Sequence, residues 1–129
     1  MRFIPTRFHA PLDYIVGVGL IAAPWIFQFS DDGTPTAISI VLGIGLIAYS
    51  LITNYELGVW KVAPMAVHNL IDVVAGAFLA LSPFLFGFAD ESANVWLPHV
   101  VVGLAAVFLG LTTVQRGFSY RRAGHPAAG

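Results

Sequence analysis

Two histidine–aspartate pairs, His9 with Asp13 and His68 with Asp72, are the residues of this chain best suited to chemistry. The members of each pair lie four positions apart, so on a helix they share one face and touch. A carboxylate beside an imidazole orients the ring and equips it to shuttle a proton or to bind a metal. An acid held near apolar lipid is costly and marks a functional site by default. A plainer reading competes. Pro11 suits the first position of a helix, which makes Ala10 the N-cap and Asp13 the third helical residue. In the second pair Asn69 takes the N-cap place and Asp72 is again third. An acid there accepts a hydrogen bond from the N-cap amide and complements the helix dipole, a contribution of about 1 kcal/mol. Each histidine then sits just outside its helix, at head-group level. Capping is the preferred expectation. No tight cluster such as HExxH accompanies the pairs, so no catalytic, cofactor-binding or metal residue is assigned, and no cofactor is expected.

The pairs recur because the chain repeats. Residues 9–32 align with residues 68–91 without a gap, at a constant offset of 59 (68 − 9). His, Asp, Gly, Leu, Pro, Phe, Phe and Asp fall at matching places. With one inserted residue, Gly43, Leu51 and Thr53 then align with Gly103, Leu111 and Thr113. An internal repeat decides architecture, and this one describes a two-helix unit made twice, residues 1–60 and 61–129, the second with a short tail.

The solvent of that unit is lipid. Of 129 residues, 57% are hydrophobic and 10% charged, with a mean hydropathy of +0.80, whereas a soluble domain carries about 25% charged residues. Runs free of Asp, Glu, Lys and Arg cover residues 14–30, 33–55, 73–89 and 92–115. Each approaches the ~17–25 residues that cross hydrocarbon as a helix. The expected fold is all-α: four transmembrane helices in two tandem repeats, related by a pseudo-two-fold axis along the membrane normal. Arg2, Arg7, Lys61, Arg116, Arg121 and Arg122 flank one side, while Asp31, Asp32, Asp90 and Glu91 occupy the other connections. The positive-inside rule then puts both termini in the cytoplasm of a multi-pass protein of the cytoplasmic membrane. Arg2 and Arg7 before an apolar stretch also fit a signal peptide, but helix one matches helix three, so it is expected to be retained. Trp25, Phe27, Phe29, Phe84, Phe86, Phe88 and Trp96 mark the acidic interface, and Tyr55 and Trp60 the basic one. A net charge of −1 with no basic cluster excludes a nucleic-acid partner. The absence of cysteine excludes a disulfide framework.

Pro24 and Pro83 each free the carbonyl four residues earlier, Leu20 and Leu79, and predict kinks near the outer interface with Ser82 or a neighbour satisfying the carbonyl. Gln28, opposite Gly87 in the repeat, reads as interfacial. Gly19 with Ala23, Gly76 with Ala80, and Ala106 with Gly110 sit four apart and predict close helix packing. Thr53, Thr112, Thr113, Ser39 and Ser50 can bond their own backbone, and no polar stripe crosses the bilayer, which argues against a water-filled pore.

At these residues the chain resembles the SPW-repeat family of small bacterial membrane proteins. The tripeptide appears as Ala23-Pro24-Trp25 and Ser82-Pro83-Phe84, each preceded by the H-x-x-x-D spacing and by Gly17 or Gly76. The resemblance implies membrane residence and a four-helix plan, and brings no activity with it. The expected function is a non-enzymatic structural, accessory or self-assembling membrane component whose partners are the bilayer and a second copy or another membrane protein. Two alternatives use the His–Asp pairs: a small transporter or proton-coupled channel, and a membrane enzyme acting on a lipid or quinone.

Overall fold

Proline sets where the inner helices begin. In the computed structural model, which describes residues 1–115, Pro5 (φ −66°, ψ 146°) is the N-cap of α1, Thr6–Ile26. Pro64 (φ −63°, ψ 146°) plays the same part for α3, Met65–Leu85. The pyrrolidine ring holds φ near −65° in either case. This corrects the expected starts at Ala10 and Asn69. Neither helix has a side-chain cap hydrogen bond, so Asp13 and Asp72 are interior residues and not capping acids. A helix can run through Pro11, at the loss of one hydrogen bond to the Arg7 carbonyl. The longer inner helices carry both His–Asp pairs within the spans.

The outer helices are α2, Gly33–Ile52, and α4, Ala93–Thr112. The architecture is all-α; among the described residues the only extended pairings are two isolated bridges. Every helix has 20 or 21 residues and is long and apolar enough to cross a membrane. At about 1.5 Å per residue each is ~30 Å long, the thickness of the hydrocarbon layer. Large apolar side chains such as Ile15, Val41, Val74 and Leu104 are exposed along the helix flanks, as a lipid solvent requires.

α1 packs on α2 and α3 on α4 through glycine contacts. A Cβ added to Gly43 would lie 2.7 Å from the Gly17 carbonyl oxygen, and one on Gly76 would lie 2.7 Å from that of Gly103. Backbones therefore touch, the packing that small residues permit in lipid. Of the expected pairs, those on α3 and α4 are used: Gly76 meets Ala106, Gly103 meets Ala80, and Gly110 faces Asn69 and Val73. Gly19 meets nothing within 4 Å, and Gly17 takes its place on α1.

Between the two hairpins the helices contact each other sparsely, and the joins lie at the two ends, most of the hydrogen bonds at the end where α1 begins. There the chain before each hairpin is tied to the end of the other. Ile4 bridges to Thr113 and Ala63 to Thr53, with Phe3 N–H donating to Thr112 O at 2.8 Å and Asn54 N–H to Ala63 O at 2.9 Å. Arg2 donates to the carbonyls of Gly110 and Thr113, 2.8 Å each, capping α4. Further along, the hairpins leave an apolar cleft of about 240 Å³ that reaches from Leu20 and Leu79 to Tyr49 and Asp72.

At the opposite end, Gln28 (φ 59°) and Gly87 (φ 74°) share the left-handed conformation that closes a helix. Phe29 N–H bonds Pro24 O at 2.7 Å and Phe88 N–H bonds Pro83 O at 2.8 Å, so both ends are Schellman turns. Gln28 is thus placed by backbone closure. The carbonyls freed by the prolines find hydroxyls as expected, Ser82 for Leu79 at 2.7 Å and Ser39 of α2 for Leu20 at 2.5 Å. Arg116, Arg121 and Arg122 lie outside the described residues.

Gly103→Leu should lower thermal stability in detergent by about 1–3 kcal/mol through overpacking, whereas Gly19→Leu should stay within about 0.5 kcal/mol. Equal melting shifts for the two variants would refute this packing scheme.

Candidate functional site

His9 lies at the fourth residue of α1 and Asp13 one turn further in, about 10 Å along the axis from Thr6. His68 and Asp72 hold the same places on α3. The two helices turn these faces toward each other, and all four side chains converge. His9 Nε2 lies 3.0 Å from Asp13 Oδ1 and 2.9 Å from Asp72 Oδ2. His68 Nε2 lies 3.0 Å from Asp13 Oδ2 and 3.4 Å from Asp72 Oδ2. Both imidazoles are 0% exposed, Asp13 4% and Asp72 7%.

A second layer orients the rings. His9 Nδ1 meets Thr113 Oγ1 and His68 Nδ1 meets Thr53 Oγ1, each at 2.6 Å. Thr53 donates its one hydroxyl hydrogen to the Tyr49 carbonyl at 2.8 Å. It therefore accepts from His68, which fixes the proton on Nδ1 and turns Nε2 toward the carboxylates. The Tyr55 hydroxyl donates to Asp13 Oδ2 at 2.8 Å. Burial first, and then the Asp13 carboxylate, push the Tyr55 phenol above its ordinary pKa, so it stays a donor. The rings of Tyr49 and Tyr55 lie 5.1 and 5.4 Å from that of His68, and the two imidazoles are 5.3 Å apart edge to face.

Such an arrangement can do three things chemically: hold a cation, keep a proton shared among four groups, or offer a carboxylate to a molecule in the cleft, which Asp72 and Tyr49 line. The tripeptides Ala23-Pro24-Trp25 and Ser82-Pro83-Phe84 belong to none of these. Pro24 lies eleven residues beyond Asp13, about 16 Å along the helix. There Ala23 packs with Phe29, Phe88 and Val95, while Trp25 and Phe84 are exposed. The repeat spacing brings the pairs together; the motif closes the far end.

The SPW repeat domain model matches residues 7–113, a stretch that holds both His–Asp pairs and both tripeptides. The chain belongs to the SPW-repeat family. Among curated proteins and among solved structures, nothing matches it. Family membership and four membrane-crossing helices make it a multi-pass membrane protein.

Three site residues have other roles in a reading of the sequence. Thr53 and Thr113 are legible as repeat partners and as hydroxyls able to bond their own backbone, as Thr53 does at Tyr49 O; their contact with the histidines is not. Tyr55, expected at the interface with Trp60, is fully buried instead, while Trp60 is exposed. Its repeat counterpart is Gln115, so no symmetry announced it. His99 is also buried, outside the cluster. Its Nε2 faces the Pro35 carbonyl at 3.1 Å and ties α4 to α2.

Tyr55→Phe should destabilise the folded protein by about 1–3 kcal/mol, because Asp13 Oδ2 loses a buried donor. Chemical unfolding of the two proteins in the same detergent checks this. Identical midpoints would remove Tyr55 from the site.

Proposed function

We propose that this protein is a non-enzymatic component of the cytoplasmic membrane, with both termini cytoplasmic, in which the His/Asp cluster clasps two transmembrane hairpins into one unit. The observation that carries this reading is the crossing of the pairs. His9–Asp72 and His68–Asp13, which join different hairpins, measure 2.9 and 3.0 Å, no longer than the contacts within each hairpin at 3.0 and 3.4 Å. The cluster and the neighbouring bridges hold the interface at this end, as the Phe29–Phe88 packing and the His99–Pro35 contact do at the other. Two carboxylates buried side by side repel each other, and two imidazoles between them offset that repulsion only when both hairpins are in place. Removing one partner from such a set typically costs 3–5 kcal/mol. The partners on this reading are the bilayer and a second copy or another membrane protein, seated on the exposed apolar flanks.

Transport fits less well. The buried acids gather at one end, and the cleft that continues from Asp72 toward the other is lined by Val16, Leu20, Leu42 and Leu79. A hydrated path needs polar lining along its length. One observation favours a second reading, an enzyme acting on a lipid or quinone: the same cleft brings an apolar tail-sized groove to a buried carboxylate.

Asp13→Asn combined with Asp72→Asn should lower the melting temperature in detergent by several degrees, since about 1 kcal/mol moves a domain of this size by ~4 °C. Proton flux through reconstituted liposomes should equal that of empty liposomes for both proteins. An unchanged melting temperature would overturn the clasp, and flux confined to wild type would favour transport. A periplasm-active reporter should work when fused in the 31–32 loop and fail at the C-terminus; the reverse pattern would overturn the orientation.

A further inference from the structure

Three buried atoms at the centre of the cluster lack a well-aligned hydrogen bond. His9 Nε2, His68 Nε2 and Asp72 Oδ2 are buried and make no hydrogen bond, although they lie 2.9 and 3.4 Å from one another. The contacts are short without meeting hydrogen-bond geometry. For His68 the proton sits on Nδ1, held by Thr53. When the ring is neutral, its Nε2 presents a lone pair toward carboxylates that also present lone pairs. Buried polar atoms are almost always satisfied, and a positive centre is what several converging lone pairs share.

We infer that His9, Asp13, His68 and Asp72 form a binding site for one divalent transition-metal ion of the zinc class. The donor set is two imidazole nitrogens and two carboxylates, one ligand atom from each residue, all within 4.8 Å of one another. Imidazole and carboxylate together suit zinc, iron(II) or manganese, and not an alkali ion. Bonds of about 2.0–2.1 Å in a tetrahedron set neighbouring ligands roughly 3.3 Å apart. The four His–Asp separations, 2.9 to 3.4 Å and reached through both oxygens of Asp13, bracket that edge, and the one-atom-per-residue set spreads no wider than 4.8 Å. Charge agrees as well: two carboxylates and a divalent cation sum to zero, the cheapest state inside a low-dielectric membrane.

The surroundings have the form of a ligand-orienting layer. Metal-bound histidines donate the far ring nitrogen to an oxygen acceptor, which fixes the tautomer; here Thr53 and Thr113 stand at those nitrogens. Tyr55 bonds the same Asp13 oxygen that faces His68. The ion would join α1 to α3 and so tighten the clasp, yet the inference stands on the donor geometry and not on the scaffold reading.

The full chain, purified in detergent and stripped with chelator, is titrated with Zn²⁺ and with Co²⁺. The expected result is one ion per chain, with the visible absorption of tetrahedral Co²⁺. His9→Gln and Asp72→Asn should each abolish that absorption, Thr53→Val should weaken binding about 10–100-fold, and Asp31→Asn should leave it unchanged. Because the cluster variants can lose the fold, the wild-type protein carries its own test through histidine ¹⁵N resonances. Metal addition should move Nε2 of His9 and His68 and leave His99 alone. Saturation short of one ion per folded wild-type chain, binding that survives His9→Gln, or Nε2 resonances indifferent to metal would each overturn the site.

Discussion

Everything in this bundle depends on four polar side chains that lipid would otherwise reject. Two imidazoles and two carboxylates meet at the end of a gap between hairpins, nine-tenths or more buried. Alone, either His–Asp pair would present an uncompensated acid to hydrocarbon. Together the two pairs shelter each other's acids from hydrocarbon. The duplication is what makes that shelter available, since each half contributes one acid and one imidazole. Glycine contacts explain how each hairpin holds itself; the polar knot and adjacent bridges at one end, with the Phe29–Phe88 packing and the His99–Pro35 contact at the other, explain why two hairpins make one protein.

The two ends of the molecule divide the labour. At one end, Schellman turns, proline-freed carbonyls met by Ser39 and Ser82, and the packing of Phe29 and Phe88 finish the inner helices using backbone and apolar means. At the other end the same helices carry all of the buried acids and are finished by hydrogen bonds across hairpins. The tripeptide that gives the family its name thus serves helix termination, while the residues able to do chemistry sit several turns away.

The His–Asp pairs and their recurrence were plain from spacing alone, as were four membrane helices from the charge-free runs. Whether the pairs met was not, because a pattern along one helix says nothing about the rotation of two helices against each other. The helix starts were misread for a physical reason. Pro5 and Pro11 both offer a fixed φ, but at the repeat offset Pro5 meets Pro64, the other true cap, whereas Pro11 meets Leu70. Four-residue spacing with a small neighbour points to Gly19, whereas the closest approach follows from which face meets α2, and that face carries Gly17. Tyr55 had no signal at all, being an aromatic residue in a connecting loop with no repeat partner of its kind.

The bridges have a bearing on how the protein is made. Ile4 finds its partner in Thr113, almost the whole described chain away. A nascent polypeptide inserts its first hairpin long before the residue that secures its beginning has been synthesised. Until α4 enters the bilayer, His9 lacks Thr113 and the segment ahead of α1 lacks its backbone partner. Assembly is therefore completed from the last helix backward, and a truncated product ending after α3 keeps its acids without the contacts that shelter them, an open form for membrane quality control to recognise.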